Sequence, residues 1–293
     1  MNPLVSINLV FHREASFFEP QLASIRAQTY QNIEVNTLDT RDNNIGFWAG
    51  QEKLLEQSKG DYIICMSDVV LDPDFVKNAV EIMERDMKIG ALQAKILQSD
   101  GRIDTTGFQI FKSRRVINRG KQTHNEYPEG EIFAVEGAVP VFRRIALESC
   151  KVDGHLIDPD YRIGPFGYGD DLDLAWRMRN FGWKHYYTPS VIAVHDRSTA
   201  GPRSQIPLIK RQLDWSNVRF TIIKNDYILN LIKDFPFWFV REIAVLGYMI
   251  LFEPNVLAAL PRFFKLLPCM FRRRKTIMKK AKTSAREVAS LFG

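Results

Sequence analysis

Residues Gly60–Arg85 read GDYIICMSDVVLDPDFVKNAVEIMER. The apolar run Asp61–Met66 has the composition of a strand, and Pro73 introduces a helix over Asp74–Arg85. A strand followed at this pitch by a helix is the repeating unit of a parallel sheet. The same unit recurs upstream. Val5–Phe11 is a β-rich apolar run, and Phe18–Gln28 has helical periodicity through Leu22 and Ile25. Ile33–Leu38 is a second strand, and Gly50–Ser58 a helix that ends near Gly60. Downstream, Ala91–Ile96 supplies a fourth strand. The alternation predicts a three-layer α/β/α fold with a mostly parallel central sheet. Ligands of such sheets bind beyond the carboxyl ends of the strands, which directs attention to His12–Glu14, Asp39–Asn44 and Ser67–Val70.

Past residue 100 the pattern is irregular. Gly101–Glu131 is polar and Gly-punctuated, as in an excursion from the core. Ile132–Phe142 reads as one strand interrupted at Gly137, and Arg143–Ser149 as a short helix. The segment YGDDLDLAWRMRNFGW (Tyr168–Trp183) sets three carboxylates, Asp170, Asp171 and Asp173, before a helix whose apolar face carries Leu174, Met178 and Phe181. A strand over Lys184–Val194 then ends on His195.

Charge is divided unevenly along the chain. From Pro202 onward there are 17 Lys/Arg against 6 Asp/Glu, and before it 23 against 28. Tyr227–Phe271 is aromatic and apolar but broken by charges, its longest uncharged part being Ile243–Phe252. That part is below the roughly 20 residues of a membrane span. Pro254, Pro261 and Pro268 cut the segment into short helices, and RRRKTIMKKAK (Arg272–Lys282) follows. Short amphipathic helices with a polybasic patch describe an anchor on an anionic membrane surface through residues 227–293, and their aromatic content disfavours nucleic acid. The alternative is a helical cap with a solvated basic tail. Three widely separated cysteines offer neither a metal spacing nor a disulfide framework, which fits a reducing cytosol. The N-terminal apolar run reads as a first strand and not as a signal peptide.

Four polar points fall after strands or at turns: Asp39, Asp68, Asp171 and His195. A carboxylate at Asp39 can accept hydrogen bonds from a base or ribose, and one at Asp68 can hold a hard divalent cation. His195 can offer imidazole to the same ion. Taken alone, Asp68 fits a turn or cap as well as it fits a site, and Asp39, Asp171 and His195 fit a turn, a cap or a structural contact better.

Taken in order, the segments resemble the family-2 glycosyltransferases of the GT-A fold over Val5 to about Asn225. The segments are VSINLV, NNIGFWAG (Asn43–Gly50), GDYIICMSDVVLDPDFV, NRGKQTHNEYPEGEIFAVEGAVPVFRR, GYGDDLDLAWRMRNFGW, YYTPSVIAVHDRST and DWSNVRFTIIKND. The likeness is greatest to the bacterial branch that adds rhamnose or related sugars to lipid-linked polysaccharides. It implies a GT-A catalytic domain over residues 1–225 and a helical, basic extension over 226–293, membrane-associating or capping. It implies an inverting transfer from a nucleotide-sugar to a hydroxyl of a lipid-linked or growing surface glycan. Asp171 would be the general base. Phe11, Asp39, Asn44, Gly46 and Asp68 would bind the donor nucleotide, and Asp170, Trp176 and Arg177 the acceptor. Asp68 and His195 would hold Mg2+ or Mn2+. The expected location is cytoplasmic, peripheral at the inner face of the cell membrane. dTDP-rhamnose is the first donor expected and a UDP-hexose the second.

Two positions depart from the family pattern. Met66 replaces the first carboxylate of the usual metal-loop pair, which implies weak metal binding. Asp170 stands where a Glu is usual. The Met66 change leaves a non-catalytic nucleotide- or sugar-binding homologue as the alternative. A nucleotidyltransferase would need a Gly-rich phosphate loop after the first strand, and FHREASFFEP has no glycine.

Overall fold

The computed structural model describes residues 2–12, 18–66, 68–195 and 203–293. The first half alternates β1 (Val5–Phe11), α1 (Glu19–Arg26), β2 (Ile33–Asp39), α2 (Phe47–Gln57), β3 (Tyr62–Met66), β4 (Val69–Leu71), α3 (Phe75–Arg85) and β5 (Ile89–Leu97). Short strands follow: β6 (Ile103–Thr105), β7 (Phe108–Ile110), β8 (Val116–Asn118), β9 (Gly130–Ile132) and β10 (Val141–Arg143). Then come α4 (Arg144–Ser149), the hairpin β11 (Arg162–Ile163) and β12 (Phe166–Gly167), α5 (Asp170–Asn180) and β13 (Lys184–His195). The remainder is helical: α6 (Leu208–Asn225), α7 (Ile228–Lys233), α8 (Phe235–Phe252), α9 (Leu260–Lys280) and α10 (Ala285–Ala289).

The main sheet has the order β2-β1-β3-β10-β5-β13-β4, with β6 beside β5 and β9 beside β13. β2, β1, β3, β5 and β13 run parallel, while β10 and β4 are antiparallel insertions. In β3, Tyr62, Ile64 and Met66 pack with Phe75, Val76 and Met83 of α3, whereas Ile63 and Cys65 face the layer holding Trp48 and Leu55 of α2. Alternating burial on both faces is what a central parallel strand requires. Each such apolar side chain contributes roughly 1.5–3 kcal/mol on burial. α3 has no side-chain cap from its own Asp74. The Gln28 amide oxygen accepts the Val76 N–H at 3.0 Å instead, so a residue two positions past the end of α1 caps the start of α3.

Two sequence expectations change. Ile132–Phe142 is not one strand: β9 pairs with β13, while β10 lies between β3 and β5. Gly137 lies in the connection between them, where the chain changes neighbours. Of the three prolines expected to cut the C-terminal segment, Pro254 does so, opening a 3-10 turn between α8 and α9, but Pro261 and Pro268 do not. Pro236 and Pro261 stand in the first turns of α8 and α9, where no N–H is needed. Pro268 lies inside α9, which runs through it for 21 residues. An interior proline costs about 3 kcal/mol. Here it is offset by Phe263, Leu266, Leu267 and Met270, which pack on Tyr161 and Phe220.

The C-terminal segment shares the main core. Ile277 of α9 and Val288 of α10 are buried in the cluster that contains Trp176 and Phe133. Arg273, part of the expected polybasic patch, is buried and bonded to Asp158 (2.7 Å) and Asp160 (2.6 Å). Arg274 donates to the carbonyls of Ile223 and Asp226. The extension therefore caps the fold, and part of its basic run is used internally.

Candidate active site

A cleft of about 480 Å³ opens at the carboxyl ends of β1 and β13. Val10 and His12 line it from the end of β1, and Thr40, Asn44 and Gly46 from the segment after β2. Asp68, Asp170 and His195 also line it. Antiparallel pairing sets His195 of β13 opposite Val69, the residue after Asp68. Strand pairing thus joins two residues 127 positions apart: His195 Nε2 lies 3.2 Å from Asp68 Oδ1. The other ring nitrogen, Nδ1, lies 3.1 Å from Asp104 Oδ2. Asp104 is fully buried on β6. A carboxylate at Nδ1 fixes the imidazole tautomer and turns Nε2 toward the partner. Sequence reading missed Asp104, because an Asp inside a polar, Gly-punctuated stretch gives no periodic signal.

The acidic cluster divides among three surroundings. Asp170 is 4% exposed and lines the cleft, and its Oδ1 is buried without a hydrogen-bond partner. Burial, then the adjacent Asp171, hold its carboxyl well above the ordinary carboxylate range. Asp171 is half-buried. Its Oδ2 accepts the Gly137 N–H at 3.0 Å and its Oδ1 the Leu172 N–H at 2.8 Å, a geometry that fixes the carboxylate. A Cβ on Gly137 would lie 2.8 Å from Asp171 Oδ2, so only glycine permits the approach. Asp173 is buried beneath them: its Oδ2 accepts from Lys224 at 2.9 Å, and its Oδ1 from the Asn225 amide at 2.7 Å.

Several expected site residues lie elsewhere. Trp176 has no exposure and packs edge-on against Phe133 and Phe292. Arg177 is buried, donating to the Leu156 carbonyl at 2.5 Å. Neither lines the cleft, because six or seven residues along a helix carry a side chain about 9–10 Å from its start. Phe11 packs edge-on against Phe18, and its carbonyl accepts from the Thr40 N–H and hydroxyl. Asp39 is exposed and paired with Arg41 at 2.6 Å, whose hydrogen bonds hold its carboxyl below the usual range. Their neighbours Val10, His12 and Thr40 line the cleft instead. Asn44 Oδ1 accepts the Gly46 N–H at 2.9 Å. Gly46 needs its φ of +84° to start α2, and a Cβ there would lie 2.8 Å from the Pro165 carbonyl oxygen. Arg13, Glu14 and Ser67, and Asp196–Thr199 after the strand, lie outside the described residues.

Among the described residues no group of three or more His, Cys, Asp or Glu encloses a metal. Met66, at the missing carboxylate, is fully buried. Asp68 and His195, one oxygen and one nitrogen about 3 Å apart, fit two adjacent positions on a divalent cation. A diphosphate and water would have to fill the rest, as is common for Mg2+.

No family model matches the chain. An N-acetylglucosaminyltransferase of Rhizobium leguminosarum bv. viciae is 25% identical over 169 residues, 57% of this chain and 38% of that protein. One from Sinorhizobium fredii is 25% identical over 181 residues, 60% of this chain and 41% of that protein. The chain thus spans about two-fifths of the length of these relatives. Among solved structures, GalNAc-T7 with UDP, GalNAc and Mn2+ superposes with a TM-score of 0.65 at 14% identity, over 98% of this chain and 56% of that one. TarS of S. aureus with UDP-GlcNAc gives 0.58 at 13%, over 98% and 90%. A Pyrobaculum calidifontis mannosyltransferase with GDP-Man and Mn2+ gives 0.52 at 16%, over 96% and 84%. At such identities the likeness is one of fold. The chain has the GT-A fold of glycosyltransferases, with a C-terminal helical extension.

Proposed function

We propose that this chain is an inverting, nucleotide-sugar-dependent glycosyltransferase. One observation carries the reading: Asp68, His195 and Asp170 converge on one cleft at the sheet edge where α/β folds bind ligands, with Asp171 fixed beside it. Asp171 removes the proton of an acceptor hydroxyl as that oxygen attacks the anomeric carbon. The bond from that carbon to the diphosphate oxygen breaks, and the nucleoside diphosphate leaves with the electron pair. The carbon inverts, and the proton stays on the Asp171 carboxyl. Asp170 holds a sugar hydroxyl from inside the cleft. A divalent ion held by Asp68 and His195 would supply charge neutralisation of the diphosphate. The names of the relatives favour an N-acetylglucosaminyl or hexosyl donor over the rhamnosyl donor that the motifs imply.

The proposed setting is a membrane surface bearing a lipid-linked or growing glycan acceptor. α8 is long and apolar enough to cross a membrane by length and composition, and only 6% of it is buried. Arg241 and Arg219 both pair with Glu242, reducing the charge of that surface. Ile232 of α7, Phe237, Val240 and Leu251 of α8, and Phe264 of α9 are more than half exposed. Exposed Lys233, Lys265 and Lys275 lie on the same elements. Exposed apolar side chains with lysines on the same helices fit an anionic lipid surface.

The test is nucleotide release from UDP-GlcNAc, GDP-Man and dTDP-rhamnose with a crude lipid acceptor, with and without Mn2+. Asp171→Asn is expected to lower kcat by about 10²–10⁴-fold while donor binding is kept. Nucleotide binding without turnover in the unaltered chain would favour a non-catalytic binding homologue, the reading that Met66 encourages.

A further inference from the structure

The cleft contains two cations that form no ion pair with any side chain among the described residues. Arg162 on β11 and Lys210 in the first turn of α6 both line it, and each is partly exposed. Among the described residues neither side chain donates a hydrogen bond or forms an ion pair. Buried cations elsewhere are bonded. Arg114 holds Asp226 and Asp234, Arg143 donates to the Ile89 and Met83 carbonyls, and Lys224 joins Asp158 to Asp173. The charge of Arg162 acts on the Asp170 carboxyl without a hydrogen bond between them. The first turn of α6 carries no acidic residue beside Lys210.

A partly buried cation that lacks an anion has given up hydration without recovering it from the protein. Arg162 and Lys210 recover it when a polyanion enters. The guanidinium fork suits two phosphate oxygens, and the ammonium acts as a compact point charge. The carboxylates that line the cleft are Asp68 and Asp170, and the metal loop of this sequence has Met66 where the resembled pattern has a carboxylate.

We propose that Arg162 and Lys210 bind the diphosphate of the nucleotide donor, and keep hold of it as the nucleoside diphosphate departs. These two side chains then perform much of the charge neutralisation that a two-carboxylate loop assigns to a metal. Diphosphate binding thereby persists when metal is removed. The assignment rests on the glycosyl-transfer reading above and deepens it.

Calorimetric titration of the full chain with UDP and with uridine, in EDTA and in Mn2+, tests it. In EDTA the unaltered protein is expected to bind UDP at least about tenfold more tightly than uridine. Arg162→Gln and Lys210→Gln should each weaken UDP binding about ten- to hundredfold and leave uridine binding unchanged. Lys210→Arg should retain most of the UDP affinity. Among the described residues neither side chain makes a hydrogen bond or ion pair, so the melting temperatures of the variants should match the parent. UDP affinity unchanged in both variants, or equal affinity for UDP and uridine in EDTA, overturns the assignment but leaves the donor reading standing. Failure of the unaltered protein to bind UDP or GDP, with or without Mn2+, removes the donor reading and this inference with it.

Discussion

Asp170 and Asp171 are chain neighbours with opposite surroundings. Two backbone N–H groups reach Asp171, whereas one oxygen of Asp170 is buried without a partner. Because burial and then Asp171 raise the Asp170 pKa, the folded state binds a proton that the unfolded chain has released. Stability therefore falls as pH rises from about 4, the ordinary carboxylate value, through the raised pKa. Above that pKa the full penalty of a buried carboxylate is present. Asp170→Asn should raise stability at pH 8 by roughly 1–3 kcal/mol, lower transfer activity, and flatten this pH dependence. Thermal melts at pH 5 and pH 8 check this, and a lower melting temperature for the variant at pH 8 would count against it. The sequence marked both residues, since three carboxylates before an amphipathic run are visible as a pattern. Which of them lines the cleft depends on the Gly137 connection, 34 residues away.

At the scale of elements, α5 is joined to α6 and α9 by buried charge. Lys224 of α6 binds Asp158 at 2.6 Å and Asp173 at 2.9 Å, and its ammonium lies 4.3 Å from the Tyr161 ring centre. Burial raises the Asp158 pKa, but Lys224 and Arg273 outweigh that and hold its carboxyl below the usual range. This network supports the helix that presents Asp170 and Asp171. Lys224→Met should leave Asp173 without its ammonium and Asp158 with Arg273 alone, and cost about 3–5 kcal/mol, because the desolvation of the buried carboxylates is then only partly compensated. Denaturant unfolding measures this, and a loss below about 1 kcal/mol would mean that the network is redundant. The strands and helices of the first hundred residues were readable because periods of 2 and 3.6 are local properties. The split of Gly130–Arg143 between two places in the sheet was not. Short apolar runs carry no record of which strand they join.

Over the whole molecule, the apolar face of α7 and α8 and the shared core have different consequences. Removing residues 227–293 would strip Ile277 and Val288 from the core, so truncation tests folding as much as membrane binding. Surface changes separate the two. Phe237→Ser with Val240→Ser and Leu251→Ser should abolish flotation with anionic phosphatidylglycerol vesicles and leave the melting temperature nearly unchanged. Neutral phosphatidylcholine vesicles should capture less of the unaltered protein, and the difference should shrink at high salt. Flotation unaffected by the triple change would exclude this face as the contact. The sequence expected only a ten-residue uncharged stretch here. The structure shows one 18-residue helix, because Glu242 and its two arginines pair instead of interrupting it.

By itself the sequence determined the strand–helix order, the parallel sheet, the carboxylate cluster and the apolar, basic C-terminal segment. These are consequences of local period, composition and charge. Tertiary structure alone brought Asp68, Asp104 and His195 into one line, set Arg162 and Lys210 on the same cleft, and buried Trp176 and Arg177. Those relations depend on strand register and on packing between residues far apart in the chain. The stretch Gly60–Arg85 could announce the fold because a strand and its following helix are neighbours in sequence. It could not announce the site, whose parts become neighbours only when the sheet assembles.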